Sequence, residues 1–272
     1  MAEATAERLI VGTGSAVREI ALLRRPGSGD AATPGLFWLG GFMSNMTGSK
    51  AAAVDAFAAE RGLAATRFDY SGHGASSGSF TEGTVSRWLE EAAAVFATTS
   101  GPQIVVGSSM GGWLALLLAE MARESRRIAG LLLVAPAFDM TRALMWDHMT
   151  KKARAALERD GYVREASSYS EEPYVITKAL IDDGDRHLFG ERLIEVGCPV
   201  VILQGLLDKD VPWRHSAALV EKLAADDVVL TLIKDGDHRL SRPEDLERLR
   251  ASLASLVADV SAPPAPVLDS AP

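Results

Sequence analysis

From Thr33 onward, short runs of β-branched and aliphatic residues alternate with longer stretches of helical periodicity. Parallel strands are buried on both faces and need crossover helices to cover them, so this alternation builds βαβ units. Strands are expected over 36–39, 64–70, 104–106, 131–134, 200–203 and 228–233. Helices are expected over 50–61 with Thr47 as a cap, then over 85–98, 110–124, 216–223 and 243–257. The fold class is α/β, a mostly parallel sheet flanked by helices.

Residues 140–196 interrupt the alternation with helical patterns around 142–159 and 174–181. Met140, Leu144, Met145, Trp146 and Met149 cluster there, which suits either a helical lid over an apolar site or a cover that merely packs on the sheet. The expected organisation is a core of 1–139 and 197–260, a helical lid inserted at 140–196, and a frayed proline-rich tail at 261–272.

Composition removes several classes. With 28 Lys and Arg against 36 Asp and Glu the net charge is −8, and no basic stripe exists for a phosphate backbone, so nucleic acid is not an expected partner. The longest uncharged apolar run, 128–138, is too short for a membrane span. Cys198 stands alone and is expected to pack rather than to pair, as in a reducing compartment. Met1 to Arg8 carries Glu3 and Glu7 and has no apolar stretch, so the expected address is cytoplasmic. No pattern in the chain sets an oligomeric state.

Gly107-Ser108-Ser109-Met110-Gly111 fits G-x-S-x-G, in which small neighbours let a strand turn sharply into a helix and expose the serine oxygen. Gly74-Ala75-Ser76-Ser77-Gly78 fits too, but it runs on into loop residues, whereas Ser109 stands between a strand and a helix. Ser109 is therefore the expected nucleophile.

A serine hydroxyl needs a base within hydrogen-bond reach and a third group to orient that base. Of His73, His148, His187, His215 and His238, the last follows the final strand, where the motif's chain order of serine, acid and histidine places the base. His73 reads as a turn or rim residue and His215 as a helix-surface residue. Asp208, at the carboxyl end of the strand over 200–203, is the leading acid; Asp210 and Asp139 are the alternatives. The oxyanion of an acyl intermediate would meet the backbone N–H groups of Met110 and of Phe42, which follows Gly40-Gly41. Met43, Met145, Trp146 and Trp213 are candidate pocket residues.

Taken together, Leu39-Gly40-Gly41-Phe42, Gly107-Ser108-Ser109-Met110-Gly111-Gly112, Gly205-Leu206-Leu207-Asp208 and Asp237-His238 make the chain resemble the α/β-hydrolase superfamily over about 33–257. More narrowly, Arg67-Phe68-Asp69-Tyr70-Ser71-Gly72, Tyr169-Ser170-Glu171-Glu172 and Asp237-His238-Arg239 are similar to its acyl-protein thioesterase and acyl-glucuronide esterase branch. That resemblance implies the α/β-hydrolase fold and a serine hydrolase of carboxylic esters or thioesters with a Ser109, His238, Asp208 triad. It implies no cofactor and no metal, and a small-molecule or acylated substrate. The same triad could cleave C–C or amide bonds, and a hydrolase-fold binding protein of low turnover is the reading from another class. Where many superfamily members carry His-Gly, this chain has Gly40-Gly41 and Gln204-Gly205.

Overall fold

The computed structural model describes residues 3–165, 173–223 and 225–261 of the 272. Its strands in chain order are β1 (Thr5–Val11), β2 (Arg18–Arg25), β3 (Gly35–Leu39), β4 (Ala65–Phe68), β5 (Gln103–Ser108), β6 (Ile128–Val134), β7 (Tyr162–Glu165), β8 (Tyr174–Thr177), β9 (Val200–Gly205) and β10 (Val228–Ile233). Eight of them form one sheet in the order β1-β2-β4-β3-β5-β6-β9-β10. From β4 to β10 every pairing is parallel. This is the α/β-hydrolase arrangement the resemblance implies.

The sheet extends beyond the expected strands. β1 and β2 form an antiparallel hairpin, and β2 joins β4 antiparallel. β1 is an edge strand exposed along most of its length, with Glu7 and Arg8 on it, so it lacks the apolar run that marks the inner strands. β3 and β5, by contrast, are buried at every position.

Helices α1 (Ser49–Arg61), α2 (Val85–Ala97), α3 (Met110–Ala122), α4 (Lys151–Asp160), α5 (Lys178–Gly184), α6 (Trp213–Lys222) and α7 (Pro243–Ser261) complete the chain. One core, with Val54 and Phe57 of α1 and Leu249 and Leu253 of α7, covers one face of the sheet. The other core takes Trp88 of α2, Leu114 of α3 and Leu219 of α6. Every residue from Met110 to Ala119 is buried, so α3 is enclosed on all sides, as an apolar helix must be. Leu114→Ala there would cost about 2–5 kcal/mol. α1 starts one residue later than a Thr47 cap requires. Gly48 is the N-cap, and the Thr47 hydroxyl donates instead to Asn45 Oδ1 at 2.7 Å, closing a local turn.

The segment after Asp139 is not the pair of helices its pattern suggests. A π-helical turn over Met140–Met145 and a 3₁₀ turn over Trp146–His148 precede α4, because Thr150 caps a new helix by accepting from Ala153 N at 3.1 Å. The start of the second expected helix, Tyr174 to Thr177, is instead β8, antiparallel to β7. α5 begins only where the Thr177 hydroxyl accepts from Leu180 N at 3.1 Å. Met149, Leu157, Val163, Ile176 and Ile181 give this segment a small hydrophobic core of its own. Cys198 is buried, which pushes its thiol up to about 12.

Candidate active site

Ser109 joins β5 to α3 with φ 55° and ψ −119°, a region that costs a non-glycine residue on the order of 1–3 kcal/mol. Backbone bonds on both sides hold it there. Ser109 N donates to Val134 O at 2.9 Å, and Ser109 O accepts from Gly112 N at 2.8 Å and Ala137 N at 3.1 Å. The flanking glycines are demanded by contact. A Cβ on Gly111 would lie 2.1 Å from Leu39 O, and one on Gly107 would lie 2.4 Å from Gly111 O.

The imidazole of His238 lies between the serine and an acid. Its Nε2 stands 3.1 Å from Ser109 Oγ and its Nδ1 stands 2.8 Å from Asp208 Oδ2. With Nδ1–H donating to the carboxylate, Nε2 is left to accept the serine proton. The two loops that bring these residues together lie against each other. Leu207 N donates to Gly236 O at 2.9 Å, and a Cβ on Gly205 would meet that same oxygen at 2.4 Å.

Asp208, whose side chain is fully buried, is held by donors as a charged acceptor must be. Its Oδ1 accepts from Asp210 N at 2.9 Å and Val211 N at 2.8 Å, and its Oδ2 also accepts from Gln204 Nε2 at 3.2 Å. The Gln204 amide donates further to Gly205 O and Val211 O, both at 3.0 Å, and its Oε1 accepts from Ser216 Oγ at 2.7 Å. Gln204 thus occupies, with a complete set of partners, the place before Gly205 where many superfamily members carry histidine. The sequence shows the substitution but not this role, which depends on α6 supplying Ser216.

The loop after β3 passes beside the serine, since a Cβ on Gly41 would be 3.3 Å from Ser109 Cβ. Phe42 follows. Met110 is the first residue of α3, where a backbone N–H has no partner within the helix and the helix dipole is positive. Phe42 and Met110 therefore stand on the two elements that converge on Ser109.

Two cavities open onto Ser109 and His238. One, of about 340 Å³, is walled by Met140, Leu144 and Met145 from the segment after β6 and by Tyr174 and Ile176 of β8. The other, of about 660 Å³, runs past Met43 and Asn45 to Lys50 and Arg239. Burial, together with the Arg239 charge, lowers the Lys50 ammonium to about 8. Met145 and Met43 are thus cavity residues, one in each. Trp146 and Trp213 line neither: Arg142 and Arg154 lie over the Trp146 ring and Arg214 over that of Trp213, so both rings serve as platforms for cations. Tyr174 and Ile176 had no local signal, because their segment carries a helical pattern.

The other candidates have other partners. Asp139 is spent on the backbone, accepting from Phe189 N at 2.8 Å and Gly190 N at 2.9 Å, and burial raises its pKa. Asp210 lies on the wall of the smaller cavity. His187 Nε2 is 2.6 Å from Ser86 Oγ, and exposed His148 lines the smaller cavity. His215 is not a surface residue, since its ring stacks on Phe138 at 4.1 Å and Nε2 meets Phe138 O at 2.8 Å. His73 is only 4% exposed, so it is not a rim residue, but it does stand in a turn, its N–H donating to Tyr70 O at 3.0 Å and its carbonyl accepting from Ser76 N at 3.1 Å. Ser76 Oγ donates to Asp69 O at 2.6 Å and accepts from Ala21 N at 2.8 Å, which ties its loop to β2. Residues 169–172 lie outside the described residues. Asp208, Asp210 and His238 are the group that could hold a metal ion among the described residues, with candidate ligand atoms within 4.8 Å, but both His238 nitrogens already face Asp208 and Ser109.

Residues 23–249 match the profile of the alpha/beta hydrolase family, and the chain belongs to that family. Among curated proteins it is 36% identical over 231 residues to mouse "Palmitoyl-protein thioesterase ABHD10, mitochondrial", covering 84% of this chain and 77% of that one. Among solved structures, a putative hydrolase from Agrobacterium vitis aligns with TM-score 0.91 and 47% identity over 94% of this chain and 100% of its own. The mouse alpha/beta hydrolase domain-containing protein 10 aligns with TM-score 0.84 and 32% identity, covering 94% and 99%. Among the described residues no helix is long and apolar enough to cross a membrane.

Proposed function

We propose that the protein is a serine hydrolase of carboxylic esters and thioesters that works through an acyl-enzyme on Ser109. The reading rests on one observation: the hydrogen-bonded chain from buried Asp208 through His238 to Ser109, ending where two cavities meet. Ser109 Oγ attacks the carbonyl carbon while its proton passes to His238 Nε2, and Asp208 pairs with the imidazolium that results. The carbonyl oxygen becomes an oxyanion facing the N–H groups of Phe42 and Met110. Collapse breaks the bond to the leaving alcohol or thiol, which takes the proton from His238. Water then repeats the cycle on the acyl-serine and releases the acid.

The thioester half of the reading comes from the name of the mouse relative, and the acyl half from the apolar wall of the smaller cavity. The described parts of 140–196 serve as the lid that supplies this wall and sizes the acyl group. The test is a set of p-nitrophenyl esters and acyl thioesters of graded chain length, wild type beside Ser109→Ala. Turnover that disappears in the variant supports the reading. No turnover on any of them by folded wild type overturns it and directs attention to C–C or amide substrates.

A further inference from the structure

We infer that His73 is a positioning residue for the oxyanion-binding loop, an inference that rests on the hydrolase reading above. Met43, directly after Phe42, adopts φ 55°, a left-handed conformation unfavourable for a side chain of its size, so contacts must hold it. One such contact is specific. Met43 N–H donates to His73 Nε2 at 3.2 Å, while His73 Nδ1 lies 3.2 Å from Ser71 O. The carbonyl can only accept, so Nδ1 carries the proton and Nε2 is left as the acceptor Met43 needs.

The surroundings keep His73 in this neutral form and fix its ring. Tyr70, Phe80 and Trp88 surround it with centroid distances of 5.7, 5.1 and 5.3 Å. Burial lowers its pKa against the opposing effects of Ser71 O and Asp69. Two of these rings also hold Phe42, whose ring lies 4.8 Å from Phe80 and 6.0 Å from Trp88. The Phe42–Met43 peptide is therefore oriented by the His73 bond while the Phe42 ring is oriented by packing. Together they aim the Phe42 N–H beside Ser109.

The experiment compares His73→Phe, which keeps a ring but removes the acceptor, with His73→Gln, whose amide oxygen can reach the place of Nε2. In the full chain, with active sites titrated, p-nitrophenyl butyrate gives kcat and KM, and butylboronic acid, which mimics the tetrahedral intermediate, gives an inhibition constant. A preorganised donor that loses its aim forfeits part of the 10²–10³ that deleting an oxyanion donor costs. We expect His73→Phe to lower kcat about 10- to 100-fold with KM within about twofold, to weaken the boronate by a similar factor, and His73→Gln to recover most of both. Equal kcat in wild type and His73→Phe overturns the inference alone. So does an equal loss in both variants, or a loss in kcat that the boronate does not share. A wild type without esterase activity overturns the hydrolase reading instead.

Discussion

Two segments of this chain share the pattern G-x-S-x-G, and they do opposite things with it. Around Ser109 the glycines let three backbone segments touch and leave the hydroxyl facing a histidine and two cavities. Around Ser76 the hydroxyl is consumed twice, by Asp69 O and Ala21 N, and its neighbour Ser77 accepts from Glu19 N at 2.7 Å. One serine is held by its backbone so that its side chain is left to face the histidine. The other gives up its side chain so that a loop stays fixed to β2. A short pattern therefore says little until one asks where the hydroxyl's hydrogen bonds go.

Substitutions can break this contrast. Ser109→Ala should lower kcat by roughly 10⁶ on p-nitrophenyl esters, with no change in the thermal midpoint beyond a few degrees. Asp208→Asn keeps the shape but presents a donor to His238, and kcat should fall by about 10⁴, read in the same assay. Gln204→Leu removes a donor from Asp208 and leaves Ser216 without its acceptor. Its kcat should fall about tenfold, and urea denaturation should show a loss of about 1–3 kcal/mol. Ser76→Ala should leave kcat within about twofold and cost about 1–3 kcal/mol in the same denaturation experiment. A Ser76 variant that lost activity as Ser109→Ala does, or a Ser109 variant that kept it, would invert the comparison.

That Ser109, Asp208 and His238 come together was legible because each follows a parallel strand, and strand ends announce themselves in apolar runs followed by glycine and acid. The role of Gln204 was not, because it depends on α6 bringing Ser216 back against β9, and those of Asp69 and His73 were not, because their partners lie far away in sequence. Asp69 Oδ1, for instance, accepts from Met46 N at 2.6 Å across 23 positions. The hairpin of β1 and β2 escaped notice because an exposed edge strand can be charged without penalty, and Tyr174 to Thr177 because four residues are too few to separate a twofold from a helical period. Trp146 and Trp213 stand apart from the other candidate pocket residues, since an aromatic ring beneath a guanidinium satisfies the same composition as one facing a ligand.

The small core within the segment after Asp139 has a consequence for how such a molecule can change. Met149, Leu157, Val163, Ile176 and Ile181 pack chiefly on one another, and the segment is moored to the sheet-bound helices by bonds such as Ser86 N to Asp183 Oδ2 at 2.7 Å. Mutations that reshape this module need not disturb the strand ends beside Ser109, Asp208 and His238. Under the proposed mechanism, selection or a designer can therefore exchange the clientele while keeping the chemistry.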